Sequence, residues 1–147
     1  MTRILCLSCT FALVGVFNSL SHAETDVVVT GSRVPVPANQ IGSSVTVIGS
    51  EELRRLQPSS LAEVLRTVPG IAVGQTGSRG GMTQVRVRGA EGNQTLVLVD
   101  GIKVNDPGRD SEFNFANFPL ADIERIEIIR GPQSSVWGSD AIGGVIH

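Results

Sequence analysis

Hydrophobic and polar positions alternate along this chain in short blocks, and each block predicts an element. In "SVTVIGSEELRRL", Val45 and Val47 alternate with polar neighbours, as in a half-buried strand. Ser50 then offers an N-cap, Glu51 and Glu52 suit the first turn of a helix, and Gln57-Pro58 ends it. In "SLAEVLRTVPG", Ser60 and Glu63 have capping-box spacing, and Leu61, Val64, Leu65 and Val68 fall on one helical face. Pro69-Gly70 stops that helix, and a short strand over 71–73 follows. The stretch 74–83, "GQTGSRGGMT", is a loop. "QVRVRG" is a strand with Val85 and Val87 inward and Arg86 and Arg88 outward. "TLVLVDGIKVND" predicts a hairpin in which 96–99 pairs with 102–104 across Asp100-Gly101, a dipeptide suited to positive φ. A polar loop covers 105–117, Pro119 opens a short turn, and "IERIEII" is a further strand. No period of 20–50 residues recurs. The pattern predicts an α+β domain, a small mixed β-sheet with short helices.

The first 40 residues follow other rules. A basic start ending at Arg3, the uncharged apolar run "ILCLSCTFALVGVF" and small residues at Ser21 and Ala23 form the layout of a secretory signal peptide over 1–23. The apolar run is shorter than the ~20 residues a membrane-spanning helix needs. "ETDVVVTGSRVPVPANQ", 24–40, pairs a β-favouring run with Pro35 and Pro37, which bar helix. It reads as an exposed, extendable arm. An edge strand of the domain is the alternative, because sheet edges tolerate proline. The folded domain occupies 41–147. At this length there is room for one domain with a core.

Composition then narrows the chemistry. Both cysteines, Cys6 and Cys9, lie in the leader, so the mature chain would hold together without disulfides. Loss of Arg3 leaves 11 basic residues against 14 acidic ones, a net charge of −3. That balance disfavours a nucleic-acid binder, which would present a concentrated basic face. Histidine occurs only at His22 and His147, so the usual nucleophile–base pairs and soft metal sites cannot be assembled. The glycine clusters lack phosphate-loop spacing: Gly138 and Gly143 begin one, but Gly144 stands where lysine is required. Asp122, Glu124 and Glu127 fit the solvated or salt-bridged face of a strand better than an acid–base pair. The residues point away from an enzyme, and no cofactor is implied. Arg86, Arg88, Arg125 and Arg130 project from strands, either as the wet face of the sheet or, for Arg125 and Arg130 in so apolar a segment, as groups that dock on another protein wall.

Four stretches, in this order, carry a family resemblance: "TDVVVT", "SSLAEVLRTVPGIAV", "VRVRGAEGNQTLVLVDGIKVND" and "IERIEIIRGPQSSVWGSDAIGGVI". Together they resemble the N-terminal plug domain of TonB-dependent outer-membrane receptors, and "WGSDAIGG" is similar to the cobalamin-type branch. The resemblance implies a plug that gates energy-dependent uptake of cobalamin or a ferric siderophore, in the outer membrane. Its partners would be the TonB C-terminal domain and a β-barrel, normally of the same chain. Thr25, Asp26, Val27, Val28, Val29 and Thr30 would form the TonB-binding strand, added to its partner through main-chain bonds. Substrate would meet the two apical loops at Gln75, Ser78, Arg79, Met82, Asn105, Asp106, Arg109, Asn114 and Asn117. Arg86, Arg88, Arg125 and Arg130 would dock on the barrel. Family members continue past "GGVI" into a barrel of about 22 strands, so the closing stretch would lead into a barrel that this sequence does not contain. Only Glu24 and Thr25 precede the box-like run, which implies a transport plug without a signalling domain. A free periplasmic module that engages TonB without transport is the alternative.

Overall fold

The computed structural model describes Val27, Val28, Thr30, Ser32 and 34–147. The expected signal peptide, together with Thr25, Asp26 and Val29, lies outside the described residues. Among the described residues there are nine strands: β1 (Val27–Val28), β2 (Val36–Pro37), β3 (Ser44–Gly49), β4 (Ile71–Gln75), β5 (Thr83–Val87), β6 (Thr95–Val99), β7 (Ile102–Lys103), β8 (Arg125–Arg130) and β9 (Gly144–Ile146). Three short α-helices accompany them among the described residues: α1 (Ser50–Leu56), α2 (Leu61–Arg66) and α3 (Ser134–Trp137). The main sheet has five strands in the order β3-β8-β9-β6-β7, and β4 with β5 forms a separate antiparallel hairpin. Among the described residues only the β6–β9 pair is parallel. Among the described residues no helix is long and apolar enough to cross a membrane.

The period-2 strands sort their side chains onto two faces. Val97, Ile126, Ile128 and Ile146 join Leu61, Ala62, Val64, Leu65, Val68, Val85 and Val87 in the larger core. The intervening Leu96, Leu98 and Val145 pack with Ala141 and Trp137 on the opposite face. The sheet is therefore covered on both sides, which explains why β6 reads as a continuous apolar run. At the hairpin, Val99 pairs with Ile102 and both turn residues have positive φ, Asp100 at 50° and Gly101 at 79°. That is the turn the Asp-Gly dipeptide predicted.

Several expectations are corrected. Gly49, still extended and paired with Arg125, is the N-cap of α1, and Ser50 is its first helical residue with no capping bond. The strand runs straight into the helix and leaves no turn in which Ser50 could cap. At α2 the box is half made: Ser60 Oγ accepts from Glu63 N–H at 3.3 Å, while the Glu63 carboxylate accepts from the N–H and hydroxyl of Ser59, both at 2.8 Å. The loop 105–117 is more than an open polar excursion. Phe115 is buried, and Phe113 meets Phe115 and Phe118 edge-to-face at 4.7 and 5.8 Å between ring centroids. The sequence left the place of "GGVI" in the sheet open: Gly144–Ile146 forms its middle strand, antiparallel to β8 and parallel to β6.

The Ser59 bonds to Glu63, first from its backbone and then from its hydroxyl, hold the Glu63 carboxyl below its ordinary value of 4.5, with help from Arg66 and Arg79. A carboxylate with a lowered folded-state pKa stabilises the fold above its unfolded pKa, and that support is lost as pH falls through the folded value. The start of α2 should loosen as pH drops below 4.5. Glu63→Gln should remove this acid sensitivity. Hydrogen exchange at Ser59 and Glu63 across pH 3 to 6 reads it, and an identical profile for both proteins would refute it.

Candidate functional site

Two regions gather the residues singled out in the sequence. The first is an open polar cleft of about 670 Å³ with three walls. The β4–β5 hairpin supplies Gln75, Arg79 and Thr83, the 105–117 loop supplies Ala116 and Asn117, and α2 with the two residues before it supplies Ser59, Ser60, Glu63 and Arg66. Arginine, glutamine and asparagine donors thus converge on one surface from three elements. The polar face of α2 belongs to this wall, and sequence reasoning missed it. Its amphipathic pattern shows which residues point away from the core, but not which loop stands opposite.

The expected ligand-facing residues divide in two. Gln75, Arg79 and Asn117 line the cleft, and Gln75 also donates to the carbonyl of Ser78 at 2.9 Å, inside its own loop. Met82 and Arg109 meet across the two loops, with Nη1 4.0 Å from the sulfur. Asp106 accepts from Gly108 N–H at 2.9 Å and pairs with Arg109 at 3.4 Å, so it shapes its own turn. Asn105 has a different position from the one expected. It is 5 % exposed, accepts from Val97 N–H at 2.8 Å, and donates to the carbonyls of Thr95 at 3.0 Å and Ser111 at 2.8 Å. Those three bonds clip the loop to β6 and turn the amide away from any ligand. Asn114 Oδ1 likewise accepts from Thr83 N–H at 3.0 Å and Ala116 N–H at 3.1 Å. Glycine in the first loop also serves the loop itself, because a Cβ on Gly81 would come 2.0 Å from the carbonyl oxygen of Thr76.

The second region holds the arm. It is not extended into solvent where it is described: β1 pairs antiparallel with β2, Val27 opposite Pro37 and Val28 opposite Val36. Val28 and Thr30 are both 0 % exposed. Thr30 donates to Glu127 Oε2 from its N–H at 3.1 Å and its hydroxyl at 2.5 Å, and its carbonyl accepts from the Trp137 indole N–H at 2.6 Å. Glu127 is buried and also pairs with half-exposed Arg125 at 2.6 Å. Of the two readings for this carboxylate, salt-bridged holds and solvated does not. Trp137 completes the smaller core while its N–H reaches Thr30. Sequence offered one signal for this site: of the two acids in "IERIEII", Glu127 alone is flanked by isoleucine on both sides.

Arg86, Arg125 and Arg130 lie on strands as expected, but Arg88 falls just past β5 with φ of 52°, where the left-handed backbone ends the strand. All four have partners within the domain. Arg130 donates to the Pro69 carbonyl at 2.5 Å and to Thr46 Oγ1 at 2.9 Å, tying β8 to β3 and the end of α2. Arg88 donates to Ser44 Oγ at 2.7 Å, and Arg86 pairs with Glu91 at 3.4 Å on the surface. Lys103 and Asp140 form a further ion pair between β7 and the segment after α3.

Comparison with known proteins places these features in context. A family model described as "TonB-dependent Receptor Plug Domain" matches residues 37–145. The chain is 45% identical over 121 residues to the vitamin B12 transporter BtuB of Vibrio vulnificus strain CMCP6, which covers 82% of this chain and 20% of that protein. Its fold is similar to that of a mutant of the ferric enterobactin receptor PfeA from Pseudomonas aeruginosa, with a TM-score of 0.60 and 31% identity over 82% of this chain and 18% of that one. The siderophore receptor PirA from Acinetobacter baumannii gives 0.57 and 31% over 69% and 16%. The chain spans about one fifth of the length of the curated relative it matches.

Proposed function

Because this chain belongs to the TonB-dependent receptor plug-domain family, we propose that it gates an outer-membrane transporter for cobalamin or a ferric siderophore, driven through TonB. The observation that carries this reading is the 45% identity over 121 residues to a vitamin B12 transporter, against 25–35% to the siderophore receptors among the solved structures. That difference favours cobalamin. In this reading the sheet sits within a β-barrel, with Arg86, Arg88, Arg125 and Arg130 near its wall. The cleft at Gln75, Arg79 and Asn117 faces the ligand. Residues 25–30 supply the strand that TonB captures, and Val27, Val28 and Thr30 are its described residues. Strand addition uses main-chain donors and acceptors, so it needs the β-favouring, largely uncharged run that the arm provides. Nothing in the reading requires a catalytic group.

The test is uptake in cells whose only outer-membrane receptor for the probe is the native product of this gene. Labelled vitamin B12 should accumulate, and ferric enterobactin should not. Val28→Pro removes a main-chain donor from the strand and should lower uptake by at least about tenfold while surface binding of vitamin B12 persists. Uptake of neither probe would overturn the transport reading. Undiminished uptake in Val28→Pro would overturn the role of the arm.

A further inference from the structure

The two loops that border the polar cleft are far apart in sequence, and each alone is rich in glycine or polar residues. They are nevertheless cross-tied at consecutive positions. Thr83 N–H donates to Asn114 Oδ1 at 3.0 Å across 31 residues, and the same oxygen accepts Ala116 N–H at 3.1 Å. Next to Thr83, Gln84 Nε2 donates to both carboxylate oxygens of Glu112, at 2.8 and 2.7 Å. Glu112 is held in turn by main-chain pairing with Asp106 and by close packing on Gly92, where a Cβ would meet Oε1 at 3.0 Å. Thr83 and Ala116 lie on different walls of the cleft. One carbonyl oxygen therefore fixes the spacing between the wall that carries Arg79 and the wall that carries Asn117.

We propose that Asn114 is a positioning residue: its carbonyl oxygen binds the two loops into a single preformed ligand-facing body, with Glu112–Gln84 as the second strut. This rests on the receptor reading above only for the identity of the ligand. Both lone pairs of Oδ1 are occupied by backbone N–H groups, so the oxygen has no capacity left for a ligand. Binding to loops already held at a fixed separation avoids the ordering cost that two independent loops would impose. The carbonyl, not the amide nitrogen, is the part that matters. Aspartate keeps that acceptor and loses the nitrogen donor; alanine loses both.

The experiment compares Asn114→Ala and Asn114→Asp in the native polypeptide, by amide hydrogen exchange and by binding of vitamin B12 and of ferric enterobactin. Asn114→Ala should speed exchange at both Thr83 and Ala116 by about tenfold and weaken binding of the probe that the wild type takes by a similar factor. Asn114→Asp should stay within about twofold of wild type in both. If Asn114→Asp loses binding as Asn114→Ala does while exchange stays slow, the amide touches ligand directly and the proposal fails. It also fails if Asn114→Ala leaves Thr83 protected. A wild type that binds neither probe would sink the ligand reading alone, because the exchange measurements still decide whether Asn114 couples the loops.

Discussion

Thr30→Val is expected to detach the arm from the sheet while the core stays folded. Valine keeps the shape of the buried side chain and removes the hydroxyl that donates to Glu127 Oε2 at 2.5 Å. A hydrogen bond to a charged group contributes roughly 1.5–3 kcal/mol, and the buried carboxylate loses one of the donors that compensate its desolvation. The two-residue pairing of β1 with β2 cannot make up such a loss, because Pro37 supplies no N–H. Opening of the arm should become about 10- to 100-fold more frequent. Exchange at Val28 and Thr30 reads it directly, with amides of β8 and β9 as internal controls. If TonB captures this strand, capture of an isolated TonB C-terminal domain should strengthen by a similar factor, since the docked arm competes with strand addition. Trp137→Phe, which removes the indole donor to Thr30, should act in the same direction by about 1 kcal/mol. Val28 protection equal to wild type in both variants would show that other contacts hold the arm.

Gly144→Ala is expected to destabilise the domain by about 3 kcal/mol or more. A Cβ at this position would lie 2.3 Å from the carbonyl oxygen of Ile129 and 3.2 Å from Val87 Cγ1. Gly144 pairs with Arg130 on one side and with Thr95 on the other, so β9 cannot shift without breaking one of its two ladders. Overpacking in a close-packed interior costs about 1–3 kcal/mol and occasionally more, and a clash with backbone in a middle strand belongs at the upper end. Set against a typical total stability of about 5–15 kcal/mol, that is a large share for one methyl group. Chemical denaturation of the native polypeptide, followed by exchange at β8 and β6, is the measurement. A midpoint within about 2 °C of wild type in a parallel thermal scan would refute it.

Local pattern foretold much of this molecule. The apolar stripe of α2 is buried as its spacing required, Val85 and Val87 face inward, and Asp100-Gly101 makes the hairpin. These features depend on contacts a few residues apart, where helical or strand periodicity and turn propensity decide the outcome. Expectations missed where the deciding partner was distant. Ser50 had every local qualification for an N-cap, but Gly49 is held in the sheet by Arg125. Asn105 and Asn114 had the donors and acceptors of ligand-binding residues, but backbone from 2 to 31 residues away takes those bonds. The arm looked free because its own residues carry no sign of Glu127 or Trp137, about 100 positions downstream.

By itself the sequence determined the class of fold, the α2 face, the hairpin and, through four ordered motifs, the family. Each follows from short-range spacing or from residue identity. Tertiary structure alone decided that "GGVI" is the middle strand, that three elements share one cleft, and that Thr30 docks on a buried carboxylate. Strand order and loop meetings depend on which distant groups reach each other, and a hydrogen-bonding side chain reads the same in sequence whether its partner is solvent, ligand or backbone.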